Sequence, residues 1–386
     1  MHLLGDLRTG DNFHATNASL VEHDSNTTLQ GFNDVHELAP LIRYRHHPND
    51  PGMRQLRAKN RDVRSTIDIR LQLQAGEILR KELAKVHRDH GALVVLQPQS
   101  GDVLALVSEP QPEKPATPDE LLDRARYGQY PPGSTFKLVT AIAALREDPN
   151  LAKRQYHCGG TGDGRVGAHI PGWRKVIHDD IGDSAHGTLS MEQAIVVSCN
   201  AYFAQLGVFD VGPKRLRETA ELLDIPAGDA ADLKQMMPFA AYGQGPVLVT
   251  PFKMARVAAT IANGGDMAQG RWVSGEGNHR TALPKEILPP TEAAFLARAM
   301  RGVVAAGTGR RAFAGANITV AGKTGTAQVD TGEPHSWFAG FAPYEGDRMH
   351  AIAFAIVVEH GGYGGLTSAP IAREIVDAAQ KLGILQ

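Results

Sequence analysis

Cysteine is scarce in this 386-residue chain, which contains only Cys158 and Cys199. Two cysteines make no disulfide framework, and neither shows a metal-ligand spacing. The 16 histidines include His46-His47 and His178 but form no His-Glu-x-x-His pattern, so neither a metal nor any other cofactor is expected. An excess of one charge is also lacking: 40 Lys and Arg face 42 Asp and Glu, and the net charge is −2. That balance, with a pI near 6.8, leaves no electrostatic footprint for nucleic acid or anionic lipid. No apolar run approaches the roughly 20 residues of a membrane-spanning helix, and no basic region followed by an apolar stretch opens the chain. The sequence as written is expected to be soluble. It has no internal repeat.

What is present suits an ordinary packed core, since 42% of the residues are hydrophobic. The length fits one large α/β core of about 250–300 residues with an appendage. Residues 1–60 are polar, rich in His and Asn, and read as an N-terminal arm. From Arg64 the pattern sharpens. Thr66-Ile67-Asp68 supplies a short strand and an N-cap, and Leu71, Ala75, Ile78, Leu79, Leu83 and Val86 mark one face of a helix. Ala92 to Leu96 and Val103 to Val107 read as strands of a hairpin turning at Pro98-Gln99-Ser100-Gly101-Asp102.

Pro110 to Pro118 is a proline-rich loop, followed by a short helix over Glu120 to Arg126. The Gly-rich segment from Leu151 to Gly187 has little periodicity and is expected to be an irregular excursion. Helices are expected over Leu206 to Leu223, Thr250 to Ala262, Thr291 to Val304 and Pro370 to Leu382. Strands are expected at Ile318 to Ala321, Trp337 to Ala342 and Ala351 to Val358. An early hairpin and late strands separated by helices imply one antiparallel sheet with helices packed on it.

Three motifs carry chemistry. In Tyr130-Pro131-Pro132-Gly133-Ser134-Thr135-Phe136-Lys137, the Pro-Pro-Gly turn leads into an apolar helical run, placing Ser134 at or near a helix N-terminus. Ser134 and Lys137 are one turn apart, so an amine can reach a hydroxyl. This Ser-x-x-Lys spacing occurs once in the chain. Taken alone, the pair also fits an N-cap and a solvated lysine. Ser198-Cys199-Asn200 ends the amphipathic segment Leu189 to Val197, and a Ser-x-Asn group is by itself also an ordinary helix boundary. Cys199 reads as packing, with its two neighbours facing the site. Lys323-Thr324-Gly325-Thr326 follows the β-like run Ile318 to Ala321; one cation, two hydroxyls and a glycine allowing close backbone approach suit a carboxylate.

Together and in this order the motifs resemble the signature of penicillin-binding proteins and serine β-lactamases. Gly243-Gln244-Gly245 with Thr250-Pro251, Ile261 to Gly265, Gly322 to Gln328 and His335 to Pro343 narrow the resemblance to class B penicillin-binding proteins. It covers residues 60 to 386. The resemblance implies a β-lactamase/transpeptidase-like α/β fold, a central antiparallel sheet with helices on both faces, spanning residues 61–386 as a transpeptidase domain. Residues 1–60 then read as an arm or the remnant of a linker or pedestal, with His2-Leu3-Leu4-Gly5 and Ser19 to Gly31 resembling its tail.

It further implies that Ser134 is the nucleophile and Lys137 its base. Ser198 would relay a proton to the leaving amine, and Asn200 would hold Lys137 and the substrate backbone. Lys323 would supply positive charge, with Thr324, Gly325 and Thr326 binding substrate and the N–H groups of Ser134 and Thr326 forming the oxyanion hole. Implied partners are peptidoglycan stem peptides, β-lactams and a membrane glycan polymerase, at the outer face of a bacterial cell membrane. Family members carry an N-terminal anchor helix and a pedestal, so a truncated form, an incomplete gene model or a naturally reduced member is expected. A D,D-carboxypeptidase would use the same residues with water as acceptor. A class D-like β-lactamase or β-lactam sensor shares the Ser-Thr-Phe-Lys quartet but typically has an aliphatic residue where Asn200 stands. A non-catalytic cell-wall scaffold is the fourth reading.

Overall fold

The computed structural model describes residues 35–113, 116–274 and 283–386, together with positions 21, 25, 28, 29 and 31. His2 to Gly5 and most of Ser19 to Gly31 lie outside the described residues. The chain divides into two units, one of residues 1–66, 111–123 and 271–280 and one of the remainder. In the first unit, Asp50 caps a helix over Pro51–Ala58 by accepting the Gly52 N–H at 2.8 Å. Arg64–Ser65 pairs antiparallel with Val273–Ser274. The expected helix after the proline-rich loop is a single turn, Pro118–Leu121, closed by a capping box between Thr117 and Glu120.

The second unit holds the chemistry-bearing motifs. Helix α1 (Ile69–Lys85) starts where Asp68 accepts the N–H groups of Arg70 and Leu71, as its sequence predicts. Strands β1 (Gly91–Leu96) and β2 (Val103–Glu109) form the expected hairpin. After helix α2 (Lys137–Glu147) comes the main departure from expectation. The segment read as irregular folds into a small antiparallel sheet of β3 (Gln155–Gly160), β4 (Val166–Ala168), β5 (Ile177–His178) and β6 (Gly187–Ser190), in the order β5-β4-β3-β6. Its strands are short and partly exposed and three of the four carry glycine, so no alternation marks them.

The run Leu189 to Val197 is likewise two elements. It ends β6, then starts α3 (Met191–Val197) through a capping box between Ser190 and Gln193. Helix α4 (Asn200–Leu206) follows. The single helix expected over Leu206 to Leu223 is interrupted by a wide π turn, Gly207–Val211, before Gly212–Leu222, because Pro213 cannot continue the ladder. Helices α5 (Pro251–Ala262) and α6 (Pro290–Ala305) then precede β7 (Ala321–Ala327), β8 (His335–Ala342), β9 (Ile352–Val358) and α7 (Ser368–Lys381). β7 begins at Ala321, so the Lys323 motif lies within the strand and not after it.

The five strands run β7-β8-β9-β1-β2, all antiparallel. Apolar residues on both faces of β1 and β9 are buried, which is why these strands read as continuous apolar runs. On one face Leu93, Phe338 and Ile356 meet Leu71, Leu79 and Leu83 of α1 and Ile371 and Ile375 of α7. On the other, α5 covers β8, β9 and β1 and α6 lies along β7. This is the expected α/β arrangement. No helix among the described residues is long and apolar enough to cross a membrane.

Candidate active site

Tyr130 and Val249 exchange backbone hydrogen bonds at 2.9 Å, and Trp337 donates its indole N–H to the Pro131 carbonyl at 3.0 Å, fixing both ends of the Pro-Pro turn. Gly133 then turns at φ 52°, and a Cβ there would lie 2.5 Å from the Thr326 carbonyl oxygen. The chain therefore enters the Ser134 turn in backbone contact with β7. Residues Gly133–Phe136 form a 3-10 turn, and Lys137 is the first residue of α2. Ser134 is not a side-chain cap. In a 3-10 turn residues three apart eclipse one another, and Lys137 Nζ sits 3.0 Å from Ser134 Oγ.

The second motif arrives from the junction of α3 and α4. Ser198 adopts a left-handed conformation, φ 64°, which costs a non-glycine residue about 1–3 kcal/mol and turns its hydroxyl and carbonyl toward Lys137. The Lys137 amine lies against the Ser198 carbonyl in a short contact, 3.3 Å from Ser198 Oγ and 2.7 Å from Asn200 Oδ1. Asn200 is held in turn, its Nδ2 donating to the His178 carbonyl at 3.1 Å and its backbone N–H to Asp179 Oδ1. The third motif approaches from β7, where Lys323 Nζ donates to Ser198 Oγ at 2.7 Å. Ser134, Lys137, Ser198, Asn200 and Lys323 thus form one contiguous polar chain.

Both lysines are fully buried. Burial is the leading cause that lowers Lys137 to about 8, outweighing Asp179, Cys199, Asp180 and Asp183, which favour its charged form. Burial and then the charge of Lys137 push Lys323 well below the ordinary lysine range. Lys323, expected to supply positive charge, does meet Lys137 at the Ser198 hydroxyl, but burial leads in lowering Lys137. Two ammonium groups meeting at one serine hydroxyl oppose each other, so the pair titrates as a unit.

Thr324 and Thr326 alternate with Lys323 along β7, so they point to the other face of the strand. Thr324 Oγ1 meets Thr308 Oγ1 at 2.5 Å, and Thr326 Oγ1 accepts the Gly364 N–H at 3.5 Å. Neither side chain hydrogen-bonds Ser134. Gly325 is fitted between Trp337 and Thr135, where an added Cβ would come within 2.9 Å of both side chains.

Sequence reading missed Asp179, Thr308 and the Cys158 environment. Although 3% exposed, Asp179 accepts from the backbone of both Asn200 and Ala201 through Oδ1. Burial raises its pKa, but hydrogen bonds from His186 and the Cys158 thiol and the charge of Lys137 outweigh that and hold it below the usual carboxylate range. Its other oxygen lies among Cys158, His186 and Cys199, and these four donors fall within 4.8 Å of one another. Spacing along the chain shows no metal pattern, yet the fold brings together a set able to hold one ion. A charged carboxylate in a Gly-rich stretch is the only trace of this in the sequence.

The profile of the penicillin binding protein transpeptidase domain matches residues 91–377. The chain is 32% identical over 351 residues to the peptidoglycan D,D-transpeptidase PbpA of Mycobacterium tuberculosis, covering 75% of this chain and 67% of that one. The ceftriaxone acyl-enzyme structure of penicillin-binding protein A from the same species superposes with a TM-score of 0.77 at 26% identity, covering 97% of this chain and 89% of that one. A structure described as a peptidoglycan synthase complex coordinating polymerization and crosslinking matches with a TM-score of 0.67 at 27% identity, covering 83% and 63%.

Proposed function

Because this chain belongs to the penicillin-binding protein transpeptidase family, we propose that it is a serine D,D-transpeptidase that crosslinks peptidoglycan stem peptides through an acyl-enzyme on Ser134. The observation that carries the residue assignment is the placement of the Lys137 amine. A neutral amine has two N–H groups and one lone pair. The Ser198 carbonyl and Asn200 Oδ1 occupy the two donors, which leaves the lone pair for the Ser134 O–H at 3.0 Å.

In this reading the two lysines titrate as a unit, and Lys137 is the base in the microstate in which its amine is neutral. Ser134 Oγ attacks the carbonyl carbon of the penultimate D-Ala as Lys137 takes its proton. The backbone N–H groups of Ser134 and Thr326 receive the oxyanion, a donor pair of which each member contributes about 3 kcal/mol of barrier lowering in comparable sites. Collapse breaks the peptide bond, Ser198 relays the proton taken up by Lys137 to the leaving nitrogen, and D-Ala departs. The amine of a neighbouring stem then attacks the Ser134 ester, restoring the serine and leaving the crosslink. A β-lactam enters the first half alone, since its opened ring keeps the leaving nitrogen attached. The substrate carboxylate is assigned to the hydroxyls of Thr324 and Thr326, with Lys323 adding positive charge from the opposite face of β7.

The place of action is the extracytoplasmic face of a bacterial membrane, with a glycan polymerase as partner, a reading supported by the likeness to the synthase complex. Residues 61–386 are assigned to the transpeptidase domain.

Intact-protein mass spectrometry during incubation with benzylpenicillin tests this directly. The expected result is a persistent penicilloyl adduct that is absent from Ser134→Ala, whose melting temperature is unchanged. An adduct retained in Ser134→Ala overturns the nucleophile, and a transient adduct with drug hydrolysis overturns the transpeptidase reading in favour of a β-lactamase.

A further inference from the structure

We propose that Cys158, Asp179, His186 and Cys199 form a binding site for one thiophilic divalent cation of the zinc class, and that the bound ion positions Asn200. The donors come from four segments: β3, the end of β5, the loop before β6 and the residue capping α4. Asp179 Oδ2 lies 2.9 Å from Cys158 Sγ, 3.2 Å from Cys199 Sγ and 3.2 Å from His186 Nδ1, and Cys158 Sγ lies 3.6 Å from His186 Nδ1. Zinc bonds of about 2.0–2.3 Å in a tetrahedron require donors roughly 3.3–3.8 Å apart, so small movements of these side chains accommodate the ion.

Hydrogen bonding alone could account for a thiol beside a carboxylate. It gives no reason for two buried thiols and an imidazole to converge on the same carboxylate oxygen. The ligand chemistry is selective, because two sulfurs and an imidazole favour zinc over the oxygen-seeking magnesium and calcium. His186 is the most exposed of the four side chains and borders the route by which an ion enters. Binding exchanges the thiol protons for the metal, so both cysteines become thiolates and the protons pass to solvent.

The small sheet also rests on little fully buried apolar surface. Beneath it, Ile170, Ile177 and Ala204 are buried, with Trp173, Val208, Phe239 and Tyr242 only partly buried against them. Short strands over so few fully buried apolar side chains are the setting in which a structural ion supplies order. The link to chemistry is Asp179. Its Oδ2 belongs to the donor set, while its Oδ1 accepts the N–H groups of Asn200 and Ala201. Cys199 is the residue before Asn200, and the His178 carbonyl that accepts from Asn200 Nδ2 precedes Asp179. An ion fixing Asp179 and Cys199 therefore fixes Asn200 against Lys137. That consequence for acylation rests on the function proposed above; metal binding itself does not.

The test measures metal and acylation on the same full chain. Elemental analysis after dialysis against zinc and then buffer is expected to give one zinc ion per chain. Cobalt(II) exchanged into the site is expected to show thiolate-to-metal charge-transfer absorption, lost in Cys158→Ser. His186→Gln should weaken zinc by more than the roughly 10- to 100-fold that losing an outer-shell partner costs. Chelator-stripped chain should acylate more slowly with benzylpenicillin and recover when zinc is returned. Ser134→Ala should bind zinc normally while forming no adduct, which separates failure of this site from failure of the catalytic reading. Absence of zinc uptake by the folded chain, or uptake undiminished in both Cys158→Ser and His186→Gln, overturns the site. Acylation indifferent to stripping and reloading overturns its positioning role.

Discussion

Asn200 Oδ1 stands 2.7 Å from Lys137 Nζ, so an amide side chain carries one of the two contacts that orient the lone pair of the proposed base. Asn200→Ala removes that contact without removing the amine. The acylation rate with benzylpenicillin is expected to fall about 100-fold, the lower end of what a positioned general base contributes. Asn200→Asp separates orientation from charge. Its carboxylate would favour the charged form of Lys137 and move the rising limb of the pH profile to higher pH. Time-resolved mass spectrometry across pH checks both; rates unchanged in both variants would remove Asn200 from the site.

The two lysines make a second prediction about pH. Lys137 is lowered to about 8 and Lys323 lies well below its ordinary value, in both cases chiefly through burial. Activity requires one proton on the pair, so the acylation rate should rise as the doubly protonated pair loses its first proton and fall as it loses the second. Both limbs should therefore lie below 10.5, the ordinary lysine value. Lys323→Gln should keep only a rising limb. That limb should stand at higher pH than in the unaltered chain, because the removed charge had opposed protonation of Lys137. A profile flat from acid to alkaline pH would refute lysine as the base.

Stability and chemistry should come apart at Leu79. It is fully buried between α1 and the sheet, in the cluster that includes Leu93, Phe354 and Ile375. Leu79→Ala should cost about 2–5 kcal/mol by removing methyl groups and leaving a cavity. The cluster around Leu79 contains none of the site's side chains, so the acylation rate below the new melting point should stay within about twofold, a change worth less than 0.5 kcal/mol. Denaturant titration and adduct kinetics on the same sample measure the two quantities.

The sequence made the large sheet legible because β1, β2, β8 and β9 bury apolar residues over nearly their whole lengths and so read as uninterrupted runs. α1 was legible from its cap and its apolar stripe, including Leu71, Ala75, Leu79 and Leu83. β7 was not, since Lys323, Thr324 and two glycines replace the apolar pattern with residues chosen for the site. The small sheet escaped for a related reason: its order comes from glycine turns and polar contacts. The motifs revealed Ser134, Lys137, Ser198, Asn200 and Lys323, but the role of Asp179 arises only when strands distant in sequence close around it. No spacing along the chain encodes that meeting.

Gly243 shows how closely the nucleophile turn is enclosed. Its φ is +83°, and an added Cβ would lie 2.1 Å from the Gly133 carbonyl oxygen and 2.8 Å from Phe136 Cβ. The same Gly243 carbonyl accepts the Gly133 N–H at 2.9 Å, so the two backbones cannot separate without losing this bond. Gly243→Ala therefore combines a left-handed alanine, costing about 1–2 kcal/mol, with overpacking of about 1–3 kcal/mol. A total loss of about 2–5 kcal/mol is expected by chemical denaturation. Relief of the clash must come from the Gly133 turn, because Phe136 is buried in the core. Acylation of the remaining folded protein should consequently slow, as Ser134 Oγ moves relative to Lys137 Nζ. Thermal melts paired with benzylpenicillin kinetics test this, and a variant of unchanged stability and rate would show that the Gly133–Gly243 contact does not set the position of Ser134.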